Sequence, residues 1–117
     1  MCHVLIIEDD WFIADHIAQL VESAGAVTID MADCEEDAVA QALARRPAVI
    51  IADVTLAAGT GPAAVDRITA QAGKIPVLFV TGEPRAFRPR ATSMRVLHKP
   101  VDDRLLIATF RAVAPPA

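Results

Sequence analysis

A doubly wound α/β sheet, with five parallel strands and helices on both faces, is the fold that this 117-residue sequence predicts. Three observations carry the prediction. Short apolar runs rich in β-branched residues recur from Val4 to His98, each too short for a helix and bounded by turn residues. Segments with apolar residues at helical spacing alternate with them. Hydrophobic residues make up 54% of the chain against 22% charged, which suits a sheet covered on both faces and disfavours a disordered chain.

Val4-Leu5-Ile6-Ile7 is the first buried strand and runs straight into Glu8-Asp9-Asp10. Ile13, Ile17, Leu20, Val21 and Ala24 then predict a helix from about Asp10 to Ala24, with Gly25 ending it. Val27, Ile29 and Met31 alternate as a short second strand. Asp33, with Glu36 three residues on, resembles a capping box. The helix it would start continues through Val39, Ala42 and Leu43 to Arg45 and Arg46, whose charges suit a helix C-terminus, and Pro47 stops it. The third strand, Ala48 to Asp53, ends on a single carboxylate. The loop from Val54 holds Gly59 and Gly61, and Pro62 suits the first turn of a third helix carried by Val65, Ile68 and Ala72 to Gly73.

Ile75 to Val80 reads as the fourth strand, with Pro76 at its start, followed by Thr81-Gly82. From Glu83 to Met94 the pattern is poor, and Pro84 and Pro89 predict a short or irregular fourth helix. Arg95-Val96-Leu97-His98 is a weak fifth strand before Lys99-Pro100. Asp102 or Asp103 starts a last helix through Leu105, Leu106, Thr109, Phe110 and Val113. For five such strands the flavodoxin-like order 2-1-3-4-5 is the expectation.

A chain of 117 residues has room for one domain, so residues 1–117 are expected to form one unit with no output domain. The net charge of −4 argues against a nucleic-acid footprint, although Arg85, Arg88, Arg90 and Arg95 cluster locally. No apolar run is long enough to span a bilayer, and the N-terminus lacks a basic start and cleavage site, so a cytoplasmic protein is expected. Cys2 and Cys34 have neither metal spacing nor disulfide density and read as small packing residues. His3, His16 and His98 have no ligand spacing among themselves, and His98 should point away from its neighbour Lys99. Trp11 opens the first helix, where an exposed ring can mark a contact surface.

In a parallel sheet all strand C-termini share one edge, so Glu8-Asp9-Asp10, Asp53, Thr81 and Lys99 converge there. Clustered carboxylates repel; they raise one pKa or hold a cation, and hard oxygen ligands suit Mg²⁺. Lys99 can pair with Asp53 and then with a phosphoryl oxygen, Thr81 can donate to another, and Gly82 leaves space beside them. These parts fit phosphoryl transfer to a carboxylate.

These four motifs, in order and at strand ends, resemble the receiver domain of two-component response regulators over nearly the whole chain. The resemblance implies that Asp53 accepts a phosphoryl group from the phosphohistidine of a histidine kinase or phosphotransfer protein. It implies that Asp9 binds Mg²⁺ directly, Glu8 through water, and that Asp53 and the Thr55 backbone carbonyl complete the metal site. Thr81 and Lys99 would hold the phosphoryl group, and the Lys99-Pro100 peptide would be cis. Such a protein is no enzyme beyond self-catalysed phosphotransfer and autodephosphorylation; output is by protein contact with an unnamed target or as a phosphate sink.

The chain departs from the usual receiver at Val96, where an aromatic residue is common, and in a shortened stretch between Thr81 and Lys99. Phe79-Val80-Thr81-Gly82 and Asp53-Val54-Thr55-Leu56-Ala57 are similar to a stand-alone, alphaproteobacterial Phe-x-Thr-Gly subgroup that lacks the aromatic switch. Thr55 and Glu83 flank the site and are expected to tune the lifetime of a phosphorylated form. Two other readings stay open. One is a Mg²⁺-dependent phosphohydrolase using an aspartyl phosphate, although Thr55 stands where such enzymes resembling the haloacid dehalogenases carry a second Asp. The other is a pseudo-receiver that binds a partner without phosphorylation.

Overall fold

The strand alternation decides the architecture. In a computed structural model, which describes residues 2–82 and 94–115, the strands are β1 (His3–Ile7), β2 (Thr28–Ala32), β3 (Val49–Asp53), β4 (Val77–Thr81) and β5 (Met94–His98). All pair in parallel in the order β2-β1-β3-β4-β5, as expected. The helices among the described residues are α1 (Trp11–Ser23), α2 (Glu35–Ala44), α3 (Gly61–Ala72) and α4 (Asp103–Val113). The expected irregular helix between Glu83 and Met94 lies almost wholly outside the described residues, as do Arg85, Arg88 and Arg90 of the basic cluster.

Successive strand residues feed opposite cores. Leu5, Ile7, Ile50, Ala52, Val77 and Phe79 pack with Ala38, Val39 and Ala42 of α2 and Ala64, Val65 and Ile68 of α3. Val4, Ile6, Val49, Ile51, Leu78 and Val80 pack with Ile17 and Val21 of α1 and Leu106 and Phe110 of α4. β1, β3 and β4 are buried at every position, which is why they read as unbroken apolar runs rather than alternating ones.

Most boundaries follow the expected signals. Asp10 caps α1 by accepting from the amides of Phe12 and Ile13, Thr60 caps α3 ahead of Pro62, and Asp102 caps α4. β2 and β4 are shifted toward the C-terminus, to Thr28–Ala32 and Val77–Thr81, and three further details differ. β1 begins one residue early because His3 is buried, its ring bonded to Thr28 Oγ1 at 2.8 Å and Asp30 Oδ2 at 3.0 Å. The capping box at Asp33 and Glu36 does not form: Cys34 is the cap residue of α2 and makes no side-chain cap bond, while Glu36 pairs with Arg67. Arg46 leaves its own helix end and donates to the carbonyls of Ala72 and Lys74, closing the far end of α3 instead. Cys2 and Cys34 are half-buried free thiols, and no described helix is long and apolar enough to cross a membrane.

Candidate functional site at the sheet edge

Parity and register build the site. Glu8 follows Ile7, Asp53 follows Ala52, and Lys99 lies two residues beyond Leu97, so all three share the parity of the residues facing α1 and α4. Ile7 is opposite Ala52 and Asp53 is opposite Val80, which brings the two acids side by side at the strand ends. The Lys99 amide donates to the Thr81 carbonyl at 2.8 Å, extending the β4–β5 pairing by one residue. The following Lys99-Pro100 peptide is cis. His98, one position earlier, is exposed, as alternation requires.

Lys99 Nζ donates to Glu8 Oε1 at 2.9 Å and to Asp53 Oδ2 at 3.2 Å. One ammonium therefore bridges two buried carboxylates, which are only 2% and 8% exposed at their side chains. The sequence reading paired Lys99 with Asp53 and missed its shorter bond to Glu8; nothing local links residues so far apart in the chain. Asp53 Oδ1 accepts from the Thr55 amide at 3.3 Å. Thr81 is buried at the end of β4, and a side chain added at Gly82 would meet open space.

Burial pushes the Glu8 carboxyl up to about 7, the adjacent Asp53 carboxylate adds to this, and the Lys99 ammonium pulls the other way. Burial by itself would lower Lys99, but its bonds to Glu8 and Asp53 outweigh that and hold the ammonium above its ordinary value. The charge of the site is thus a shared property of three side chains.

The residues present fit a hard divalent cation. Glu8, Asp9 and Asp53 each offer a carboxylate oxygen, and these atoms lie within 4.8 Å of one another. Glu8 Oε2 is buried without a hydrogen-bond partner among the described residues, an acceptor that a positive ligand would satisfy. Asp9 is exposed and Thr55 lies in the adjoining loop, where it bridges to Thr60. Glu83 is outside the described residues.

Two features of the site's surroundings escaped the sequence reading. Gly61 packs so closely on β3 that an added Cβ would collide with the Asp53 carbonyl oxygen. Phe12 is 91% exposed at the start of α1, beside the acidic loop and next to Trp11, the contact-surface candidate of the sequence, which is 63% exposed. Phe12 lies off the Ile13-Ile17-Leu20-Val21 stripe, which was the available signal. An apolar groove runs from Lys99, Pro100 and Val101 along Phe12, His16 and Leu20.

Comparison with known proteins places this geometry. Residues 4–111 match the family model of the response regulator receiver domain. The phyllosphere-induced regulator PhyR of Methylorubrum extorquens is 35% identical over 85 residues, covering 72% of this chain and 32% of that protein. The receiver domain of PhyR from Erythrobacter litoralis superposes with a TM-score of 0.84 at 28% identity, covering 99% and 95% of the two chains. PhyR from Brucella abortus gives 0.82 at 32% identity, covering 96% of this chain and 47% of the other. The chemotaxis protein CheY4 of Vibrio cholerae gives 0.83 at 26% identity, covering 97% and 98%. The chain therefore spans about a third of the curated relative and about half of the Brucella protein.

Proposed function

Because the chain belongs to the response regulator receiver domain family, we propose that Asp53 is the phosphoacceptor of a switch in a two-component phosphorelay. The donor is a histidine kinase or phosphotransfer protein in the cytoplasm. The observation that carries the proposal is the Asp53 carboxylate itself: 8% exposed, at the C-terminal end of the central strand, 3.2 Å from a lysine ammonium and beside two further acids.

In the transfer, an Asp53 oxygen forms a bond to phosphorus while the phosphorus–nitrogen bond of the donor's phosphohistidine breaks, leaving its electron pair on the imidazole. Two negative groups must meet, so the site has to supply positive charge. Lys99, already bonded to Asp53, follows the charge onto a phosphoryl oxygen. Thr81, at the end of the neighbouring strand, donates its hydroxyl to another. Glu8, Asp9, Asp53 and the Thr55 carbonyl would hold Mg²⁺, which when bound supplies further neutralisation of the phosphoryl oxygens. The Thr55 amide, bonded to Asp53 Oδ1, fixes the carboxylate's orientation.

Output follows from the redistribution of Lys99. When a phosphoryl group competes for its ammonium, the Glu8–Lys99–Asp53 bridge is broken and the β5 end of the sheet changes partner. Val96, half-buried against the α2 and α3 core, carries no aromatic ring to swing. The signal therefore leaves through backbone and loop rather than through a rotamer, to a protein target, or the domain serves as a phosphate sink. The exposed Trp11 and Phe12 and the groove beside Lys99 give a donor an apolar landing beside the acceptor.

Incubation with acetyl phosphate and Mg²⁺ tests the proposal. Wild type takes up an alkali-labile phosphoryl group, and both chelation of the metal and Asp53→Ala abolish it. A label that persists in Asp53→Ala would overturn the assignment.

A further inference from the structure

The loop that follows Asp53 is gripped from an unexpected direction. Its two limbs are zipped together, with the Gly61 amide donating to the Val54 carbonyl at 3.1 Å and Thr55 bridging to Thr60. Its tip, Ala58 to Thr60, is held by one residue of a different element, Glu35 in the first turn of α2. The Glu35 amide donates to the Ala58 carbonyl at 3.2 Å, and its Oε1 accepts from the Thr60 amide at 3.5 Å. Gly59 has φ +83°, and a Cβ there would lie 2.6 Å from the Glu35 Cβ, so side chain and loop backbone are packed in direct contact. Arg67 of α3 anchors Glu35 from behind, Nη1 to Oε2 at 2.9 Å, and also pairs with Glu36 Oε1 at 2.6 Å. Glu35 is 22% exposed at its side chain, while Glu36 is 80% exposed and its carboxylate bonds to Arg67 and, among the described residues, to no atom of the loop.

We propose that Glu35 is a positioning residue for the phosphorylation site: gripped by Arg67, it fixes Thr60, and through the Thr55–Thr60 bridge it fixes the backbone of Thr55. The inference rests on the reading of Thr55 as a metal-facing carbonyl. Its physical content is preorganisation. A loop of this length, freed at its tip, samples many conformations, and a cation must then order it on binding. Held by Glu35, it is ordered beforehand. Linkage runs both ways, so a cation at the acids steadies the α2–loop contact as much as that contact favours the cation.

The test uses the full chain. Glu35→Ala and Glu36→Ala each delete one carboxylate paired with Arg67 and change the net charge alike; Glu36 holds the guanidinium by two bonds and Glu35 by one, yet only Glu35 touches the loop. Mg²⁺ affinity is read from amide shifts, and loop order from hydrogen exchange of the Gly61 amide, with the Ile51 amide in the central strand as the monitor of global folding. In Glu35→Ala, Mg²⁺ affinity falls about 5-fold or more and Gly61 exchange accelerates while Ile51 exchange holds. In Glu36→Ala both quantities stay within about twofold of wild type, as for an exposed pair. Equal losses in the two variants, or unchanged Gly61 exchange in Glu35→Ala, overturn the proposal. If wild type takes up no Mg²⁺, it is the metal reading that fails, and the link from Glu35 to a cation fails with it.

Discussion

Glu8 should make the protein less stable as pH rises from about 4.3 to about 7, and Glu8→Gln should remove the effect. In the folded chain burial holds its carboxyl up to about 7, whereas an unfolded glutamate titrates near about 4.3. Between those values the folded state binds the proton and the unfolded state does not. Folding takes up a proton there, so stability falls as pH rises. Below the window both states are protonated and the cost vanishes; above about 7 it is present in full. Each tenfold change in proton affinity is about 1.4 kcal/mol, so the full displacement has a ceiling of about 3–4 kcal/mol. Glu8 lies at the sheet edge next to the exposed Asp9, and solvent screening there reduces the expected cost to about 1–2 kcal/mol. The assay is urea unfolding followed by far-UV circular dichroism, in chelator, at about pH 5 and about pH 8, for wild type and Glu8→Gln. Glu8→Gln should gain about 1–2 kcal/mol on wild type at the higher pH and little at the lower. A difference that is independent of pH would refute the argument. Mg²⁺ should reduce that difference at the higher pH, because a cation on Glu8 and Asp53 offsets the same repulsion.

Other substitutions probe the frame around the site. Gly61→Ala drives a methyl group into the Asp53 carbonyl oxygen, so it should cost about 2 kcal/mol or more and weaken cation binding, read by urea titration and amide shifts. Phe79→Ala empties a fully buried position in the core under α2 and α3 and should cost about 3–5 kcal/mol in the same urea assay. Asp10→Ala removes the cap from the Phe12 and Ile13 amides and should cost about 1 kcal/mol, visible as faster exchange of those two amides.

β1, β3 and β4 were legible because burial on both faces leaves an unbroken apolar run, the edge strands β2 and β5 gave only an alternating and a weak pattern, and the order followed from parallel connection rules. Convergence of Glu8, Asp53 and Lys99 was legible for the same reason: each ends or follows a strand of the same sheet. What escaped was pairing between distant elements. Glu36 resembles a capping partner for Asp33, yet Arg67 lies on the next helix and takes it, since a bidentate guanidinium contact outcompetes a local turn. Arg46 fits its own helix end by charge, yet the carbonyls of Ala72 and Lys74 are within reach and take it. Gly61 reads as a turn glycine, whereas its need comes from the Asp53 backbone packed against it. The grip of Glu35 on residues 58–60 has no local signature at all, because it depends on how α2 is laid beside the loop.

The central claim is that the carboxylate of Asp53 becomes an acyl phosphate. The most direct measurement is borohydride reduction of the protein after reaction with acetyl phosphate and Mg²⁺, followed by peptide mass spectrometry. An aspartyl phosphate is reduced to homoserine, so the account predicts homoserine at position 53 and nowhere else. Homoserine at Asp9 or Asp10, or an unreduced Asp53 in protein that carries phosphate, would contradict it.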